Sequence, residues 1–416
     1  MLLDKIRNLD RMTKDMLFVF LGASMGNFFN LLYQLFIVRK FSPADFAAFN
    51  TLLAILTLFS TPMATLAQSI TRYVARFNAR GETDKIILTI NKFSKLTFSF
   101  GLVLFIILCA LNAPMARIFR IPDRLSILIM SCIIFLLWIT PVYSGSVQGL
   151  ERFIIFTKAV LASGFLKLSF VVLFVLIGWG VAGALGAFLV SALFSLLIFL
   201  FCLKDYIFKQ AQGSLGEFKE IIRYILPVAA AWLCFNSLVS ADMILVKYYF
   251  SSLDAGYYAV AQMIGKIFLF LPGPVSIVMF PKTAGLNAMQ KDTGKFLKKS
   301  ILFGSFLCIA AILAYNLFPA YILKVLTAKA IPASIALGRL FSVSMSFYAL
   351  IFILLSYHLS IGDRRFLKSL VLFSVLQIIA IALFHQSLFI VQIIMCLNAF
   401  ILFVINLRLA LKEAAA

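Results

Sequence analysis

Residues 236–266 read NSLVSADMILVKYYFSSLDAGYYAVAQMIGK, two apolar runs of helical length meeting at a short polar turn, FSSLDAGYY. The same arrangement stands earlier in the chain, where 41–49 read FSPADFAAF. Phe41 matches Phe250, Ser42 matches Ser251, Asp45 matches Asp254 and Phe49 matches Tyr258, while Asn27 takes the place of Asn236. The register continues into the following loops, with Ala75, Asn78 and Ala79 falling on Ala284, Asn287 and Ala288. GLERF at 149–153 then meets GDRRF at 362–366. One structural unit is used twice.

With 63% hydrophobic and 13% charged residues, the chain of 416 has too little polar surface to cover a soluble globule. Apolar runs long enough to cross a hydrocarbon core of about 30 Å as helix recur along its whole length. Twelve spans are expected, near 15–38, 49–70, 96–113, 125–147, 155–177, 181–203, 224–247, 255–280, 300–318, 335–357, 367–385 and 388–407. The first is too long and too Asn-rich for a cleaved signal and is read as retained. Before it, 1–14 alternate charge with Leu, Ile and Met, as a helix lying on the membrane surface would.

The fold class that follows is an all-α integral membrane protein of two six-helix lobes in parallel repeat around a central cavity. An even number of spans per half inserts both halves in the same orientation. The lobes are read as 1–203 and 224–416, joined by the polar stretch 204–223, KDYIFKQAQGSLGEFKEIIR. Most of the 37 basic residues fall at the two termini and in the even-numbered connections, which places both termini in the cytoplasm of a cell-membrane protein. The net charge of +21 is thus a topology signal plus attraction to anionic lipid, and nucleic acid need not be invoked.

The six cysteines lie in or beside apolar spans without paired spacing and read as small buried hydrophobes. His358 and His385 are too far apart in sequence to suggest a metal site. No triad, phosphate loop or zinc spacing is present, so no catalytic group, metal or cofactor is expected.

The informative residues are polar ones inside spans. Ser24, Asn27, Asn30 and Gln34 share one face of the first helix, which in lipid must turn toward protein or a wet cavity. The seventh span repeats this with Asn236, Ser237, Ser240 and Asp242, and the eighth aligns Tyr258, Gln262 and Lys266 at successive fours. Pro62 and the pair Pro272 and Pro274 should bend or hinge the second and eighth helices.

Lys167 and Lys266 stand mid-span, where a lysine costs roughly 2.5–3.5 kcal/mol even on insertion scales. Each is expected to face protein or water, either lining a substrate path or partnering a group such as Asp242. Lys247, near a helix end, can snorkel to the surface. Asp45 and Asp254 sit in turns, where helix capping explains them. A cavity with two lysines, several amides and one carboxylate attracts an anion such as a phosphate or uronate.

Asp242 followed by ILVKYYFSSLDAGYYAVAQ resembles the seventh-to-eighth helix junction of the polysaccharide-export branch of the multidrug/oligosaccharidyl-lipid/polysaccharide (MOP) flippases. LYQLFIVRKFSPADFAAF is similar to that family's first junction, except that Ala47 stands where a glycine is usual; Gly256 keeps it in the second half. The resemblance implies a lipid-linked oligosaccharide flippase, with undecaprenyl diphosphate as the carrier and the bilayer and other polysaccharide-assembly membrane proteins as partners. It implies a cationic lumen, carried onto Lys167 and Lys266. On that reading the diphosphate is expected at the two lysines and the sugars at the polar residues Asn27, Asn30, Gln34, Asn236 and Gln262. Asp242 and Lys247 are candidates for ion coupling or an ion pair. Two rivals remain open: a small-molecule or drug exporter of this or the major facilitator fold, and a membrane glycan polymerase or ligase, which generally needs a larger external loop.

Overall fold

The computed structural model describes residues 11–415 other than 122, 208, 210–215, 217, 291, 329 and 330. The described residues form sixteen helices and no strand. In chain order these are α1 (Arg11–Lys40), α2 (Pro43–Ala79), α3 (Thr83–Ala110), α4 (Asn112–Ile118), α5 (Arg124–Gly149), α6 (Phe153–Leu176), α7 (Gly180–Cys202) and α8 (Lys204–Ile207). The second half continues with α9 (Phe218–Tyr249), α10 (Ser252–Phe270), α11 (Gly273–Ala288), α12 (Gly294–Leu317), α13 (Pro319–Thr327), α14 (Pro332–Ile361), α15 (Phe366–Leu383) and α16 (Leu388–Ala415).

Among the described residues, eleven spans are long and apolar enough to cross a membrane, and α1, with 30 residues, covers the remaining expected one. The chain is a multi-pass membrane protein. The helices outrun the apolar runs that announce them. Basic residues such as Lys85 and Lys92 ride on α3 rather than in a loop, and only Arg80–Glu82 separate α2 from α3. The surface helix read at 1–14 lies outside the described residues up to 10, and 11–14 are already part of α1.

Prolines act unequally. Pro62, Pro141 and Pro227 sit inside unbroken helices. The eighth span instead breaks at 271–272 into α10 and α11, where Pro272, Gly273 and Pro274 remove two donors and one Cβ in succession. Only Cys308 among the six cysteines is fully buried; the other five are half-buried.

The backbone divides into two compact units, one of Met1–Lys40 with Phe59–Ala229, the other of Phe41–Leu58 with Ala230–Ala416. Helices α2 and α9 each contribute to both.

In the first unit, Met63, Leu66, Ile70, Val74 and Phe77 recur along α2 at helical spacing. They pack with Ile86, Ile90 and Phe93 of α3, Val142 and Val147 of α5, and Phe199 of α7. Small residues let the backbones close: a Cβ on Gly145 would lie 2.6 Å from the Ala67 carbonyl oxygen. Thr71 bridges the same crossing, donating to the carbonyls of Ala67 at 2.9 Å and Gly145 at 3.1 Å.

In the second unit α14 is the central helix, packed along α10, α11, α12 and α16. Its Leu350, Ile353, Leu354 and Tyr357 form a core with Met279, Leu297 and Ala410.

The repeated turns fold alike. Ser42 accepts the amide of Asp45 at 3.1 Å and donates its hydroxyl to the same carboxylate at 2.6 Å. Ser251 and Asp254 do the same at 3.1 and 2.7 Å. The serine is therefore the N-cap of α2 and of α10, and the aspartate three residues on fixes its hydroxyl. The missing glycine at Ala47 also has an account. A Cβ on Gly256 would strike the backbone of Pro43, so the close approach needs a glycine at that one position of the pair.

Candidate functional site

In the first unit, α1, α5, α6 and α7 enclose a cavity of about 410 Å³. Its position follows from how α1 meets α6. Gly26 faces Val160 and Gly164 faces Phe29, each so closely that an added Cβ would lie 3.1 Å from its neighbour and push it by a few tenths of an ångström. This approach sets Asn27 and Asn30 on one wall and Lys167 on another. On α6, Phe156, Val160, Ser163, Gly164 and Lys167 all line the cavity, the spacing of a single helix face.

The Lys167 ammonium donates to Asn30 Oδ1 and lies 4.9 Å from the ring centres of both Tyr33 and Phe188. Tyr33 is itself fixed, donating its hydroxyl to the Ala184 carbonyl at 2.8 Å. Amide oxygen and ring faces attract a cation without cancelling its charge. No carboxylate pairs with Lys167 among the described residues. The arrangement is a fixed positive charge with amide donors beside it, chemically a seat for an anion. Gln34, on the same helix, has a buried Oε1 without a hydrogen-bond partner among the described residues.

The second unit holds a different constellation. Asp242 of α9 is fully buried. Tyr258 donates to its Oδ2 at 2.8 Å, and the Gln262 amide donates to Oδ1 at 3.0 Å and Oδ2 at 2.9 Å. Gln392 of α16 donates to the Tyr258 oxygen at 2.8 Å. Lys266, one turn beyond Gln262, is within electrostatic reach of the carboxylate without a direct ion pair among the described residues. Neutral donors thus satisfy both oxygens of a carboxyl group that burial has removed from water.

The residues singled out in the sequence therefore separate. Asn27, Asn30 and Lys167 come together in the first-unit cavity. Gln262 and Asp242 are joined in the second unit, with Gln262 1% exposed and its amide nitrogen committed to the carboxylate. Asn236 is half-buried and donates to the Trp232 carbonyl of its own helix at 3.0 Å. Lys247 does not snorkel: it is 1% exposed and donates to Ser252 Oγ at 2.8 Å. Sequence reasoning passed over Tyr33, Phe188, Thr140, Ser163 and Ser191 at the cavity, and Gln392 and Met395 in the network. Aromatics and small hydroxyls are too common in membrane helices for spacing to mark them.

The model of the family described as polysaccharide biosynthesis protein matches residues 12–286. The chain belongs to that family. No curated protein is matched. The chain is similar in structure to a multidrug resistance MATE family transporter of the MOP superfamily in its inward-facing conformation. That similarity has TM-score 0.75 at 16% identity, over 94% of this chain and 96% of the other. It is also similar to the lipid II flippase MurJ in an inward closed conformation, with TM-score 0.71 at 13% identity over 96% and 88% of the two chains. A MOP superfamily transporter from Pyrococcus furiosus matches at TM-score 0.59 and 14% identity, over 96% and 94%. The polysaccharide biosynthesis family membership and the MOP transporter fold are thus both established.

Proposed function

We propose that the protein is a flippase that carries an oligosaccharide linked to a polyprenyl diphosphate, of the undecaprenyl type, from the cytoplasmic to the outer leaflet for polysaccharide assembly. The observation that carries this reading is the Lys167 ammonium, with no carboxylate paired to it among the described residues, in a largely apolar cavity between membrane-spanning helices. A diphosphate is the part of such a lipid that must find a counter-charge on its way through hydrocarbon, and Lys167 with Asn27 and Asn30 supplies one. Lys266 is a second cation along the path, and Asn236 and Gln34 are further polar groups on it. Gln262 supports Asp242, and among the described residues Asp242 is the one fully buried carboxylate, a candidate for coupling to an ion.

Movement by alternating access between lobes 1–203 and 224–416, linked by 204–223, fits the repeat. The basic residues favour cytoplasmic termini in a cell membrane, and other polysaccharide-assembly membrane proteins are natural partners. The family description supports a glycan substrate, and the fold shared with a lipid II flippase supports a lipid-linked one.

A second reading, export of a soluble small molecule, is favoured by the similarity to MATE transporters. Purified protein in proteoliposomes separates the two. With a short oligosaccharide on a fluorescent polyprenyl diphosphate, the flippase makes the sugar accessible to an external glycosidase over time. An exporter leaves the lipid in place, and an imposed ion gradient drives its transport of a soluble compound.

A further inference from the structure

The wall beside Lys167 has an unusual polarity. Thr140 donates its hydroxyl to the Leu136 carbonyl at 2.8 Å, Ser163 to Val160 at 3.0 Å and Ser191 to Phe188 at 2.7 Å. All three protons are spent on the residue's own helix, so the oxygens offer the cavity only acceptor lone pairs. Lys167 and the asparagine amides supply the donors. Ser163 stands one turn from Lys167 on the same face of α6, so donor seat and acceptor wall adjoin. Further along that face, Phe156 stacks on Phe199 of α7, ring centres 6.1 Å apart and planes 14° from parallel. Both rings line the cavity.

We propose that Thr140, Ser163 and Ser191, with the Phe156–Phe199 pair, form a sugar subsite that takes the residue joined directly to the phosphate held at Lys167. The inference rests on the reading of Lys167 as the anion seat. A phosphate has no proton to give an acceptor wall, whereas sugar hydroxyls do. The C–H face of a pyranose is apolar and suits a flat aromatic surface. A volume of about 410 Å³, near the lower end of small-ligand pockets, has room for a phosphate with its first sugar. Selectivity would then be set at the first sugar.

The test measures binding to detergent-solubilised protein of a short-chain polyprenyl diphosphate, bare and carrying one hexose. In the double variant Thr140→Val, Ser163→Ala, the hexose lipid should lose at least tenfold in affinity while the bare lipid binds as to wild type. Each lost hydroxyl bonded only its own helix, so the fold should survive, and Thr140→Ser, which keeps the oxygen, should retain the hexose increment. An undiminished hexose increment in the double variant, or equal weakening of both lipids, overturns the subsite. In that case loss of both lipids in Lys167→Gln leaves the anion seat standing. If wild type binds neither lipid, or Lys167→Gln binds both as wild type does, the anion seat fails and the subsite with it.

Discussion

Tyr258 donates its hydroxyl proton to Asp242 Oδ2 across 2.8 Å, and both residues are fully buried. The bond ties α10 to α9, and Gln392 extends the chain to α16. Removing one partner costs the other a buried hydrogen bond that water cannot replace. Tyr258→Phe should therefore destabilise the protein by about 1–3 kcal/mol. In a double-mutant cycle with Asp242→Asn, denaturation in detergent should report a coupling of 0.5 kcal/mol or more. Additive losses would mean that the bond contributes nothing.

Gly145 crosses Ala67 where a Cβ would sit 2.6 Å from a backbone oxygen, which cannot rotate away as a side chain can. Gly145→Ala is expected to cost about 1–3 kcal/mol by overpacking. Gly285 of α11 has nothing within 4 Å of the added Cβ. Gly285→Ala should be neutral or stabilising by up to about 1 kcal/mol through helix propensity. Melting midpoints of the two variants, measured side by side, should move in opposite directions or differ clearly in size.

The two serine N-caps make the same bonds. Ser42→Ala and Ser251→Ala should each lower stability by about 1 kcal/mol, and Ser→Asn at either position should recover most of it. A null effect at one position only would mean that the two turns, alike in hydrogen bonds, differ in energy.

Asp363, in the turn between α14 and α15, lies 3.0 Å from His358 Nδ1 and accepts from the backbone N–H and Nε of Arg365 at 3.0 and 3.1 Å. Partial burial works against its charge, but the bonds from Arg365 and the neighbouring His358 outweigh that and hold the carboxyl below its ordinary range. A carboxylate with a depressed folded pKa stabilises fully above its unfolded pKa of about 4 and loses that contribution as pH falls through the lower folded value. Asp363→Asn should therefore cost stability at neutral pH, and the difference from wild type should shrink below about pH 4. A pH-independent difference would point to packing instead.

Much of the architecture was readable before any coordinates. Long apolar runs mark helices because lipid leaves the backbone no other way to satisfy its hydrogen bonds. The paired Ser-x-x-Asp turns announce their own caps. Asn27, Asn30 and Lys167 were legible as polar groups inside spans, and one cavity is lined by all three. What spacing could not do was sort them from Asn236, Gln262 and Lys266. Every intramembrane amide looks alike along the chain, and which helix it meets is decided by tertiary packing. The same limit hid Gln392 and the hydroxyls of Thr140 and Ser163. Lys247 was misjudged because position near a helix end suggests access to water, whereas Ser252 in the next helix offers it a buried partner. The break at 271–272 and the intact helix at Pro62 differ in a countable way, two prolines flanking a glycine against one.

The most direct test of the central claim is leaflet-to-leaflet transfer of the fluorescent oligosaccharide lipid by wild type, Lys167→Arg and Lys167→Gln, each reconstituted at equal density. A charge requirement predicts that the Arg variant keeps measurable transfer while the Gln variant, folded and inserted as well as wild type, falls to the protein-free rate. Transfer by the Gln variant at the wild-type rate would contradict it, and the cavity around Lys167 would then not be the seat of the anion.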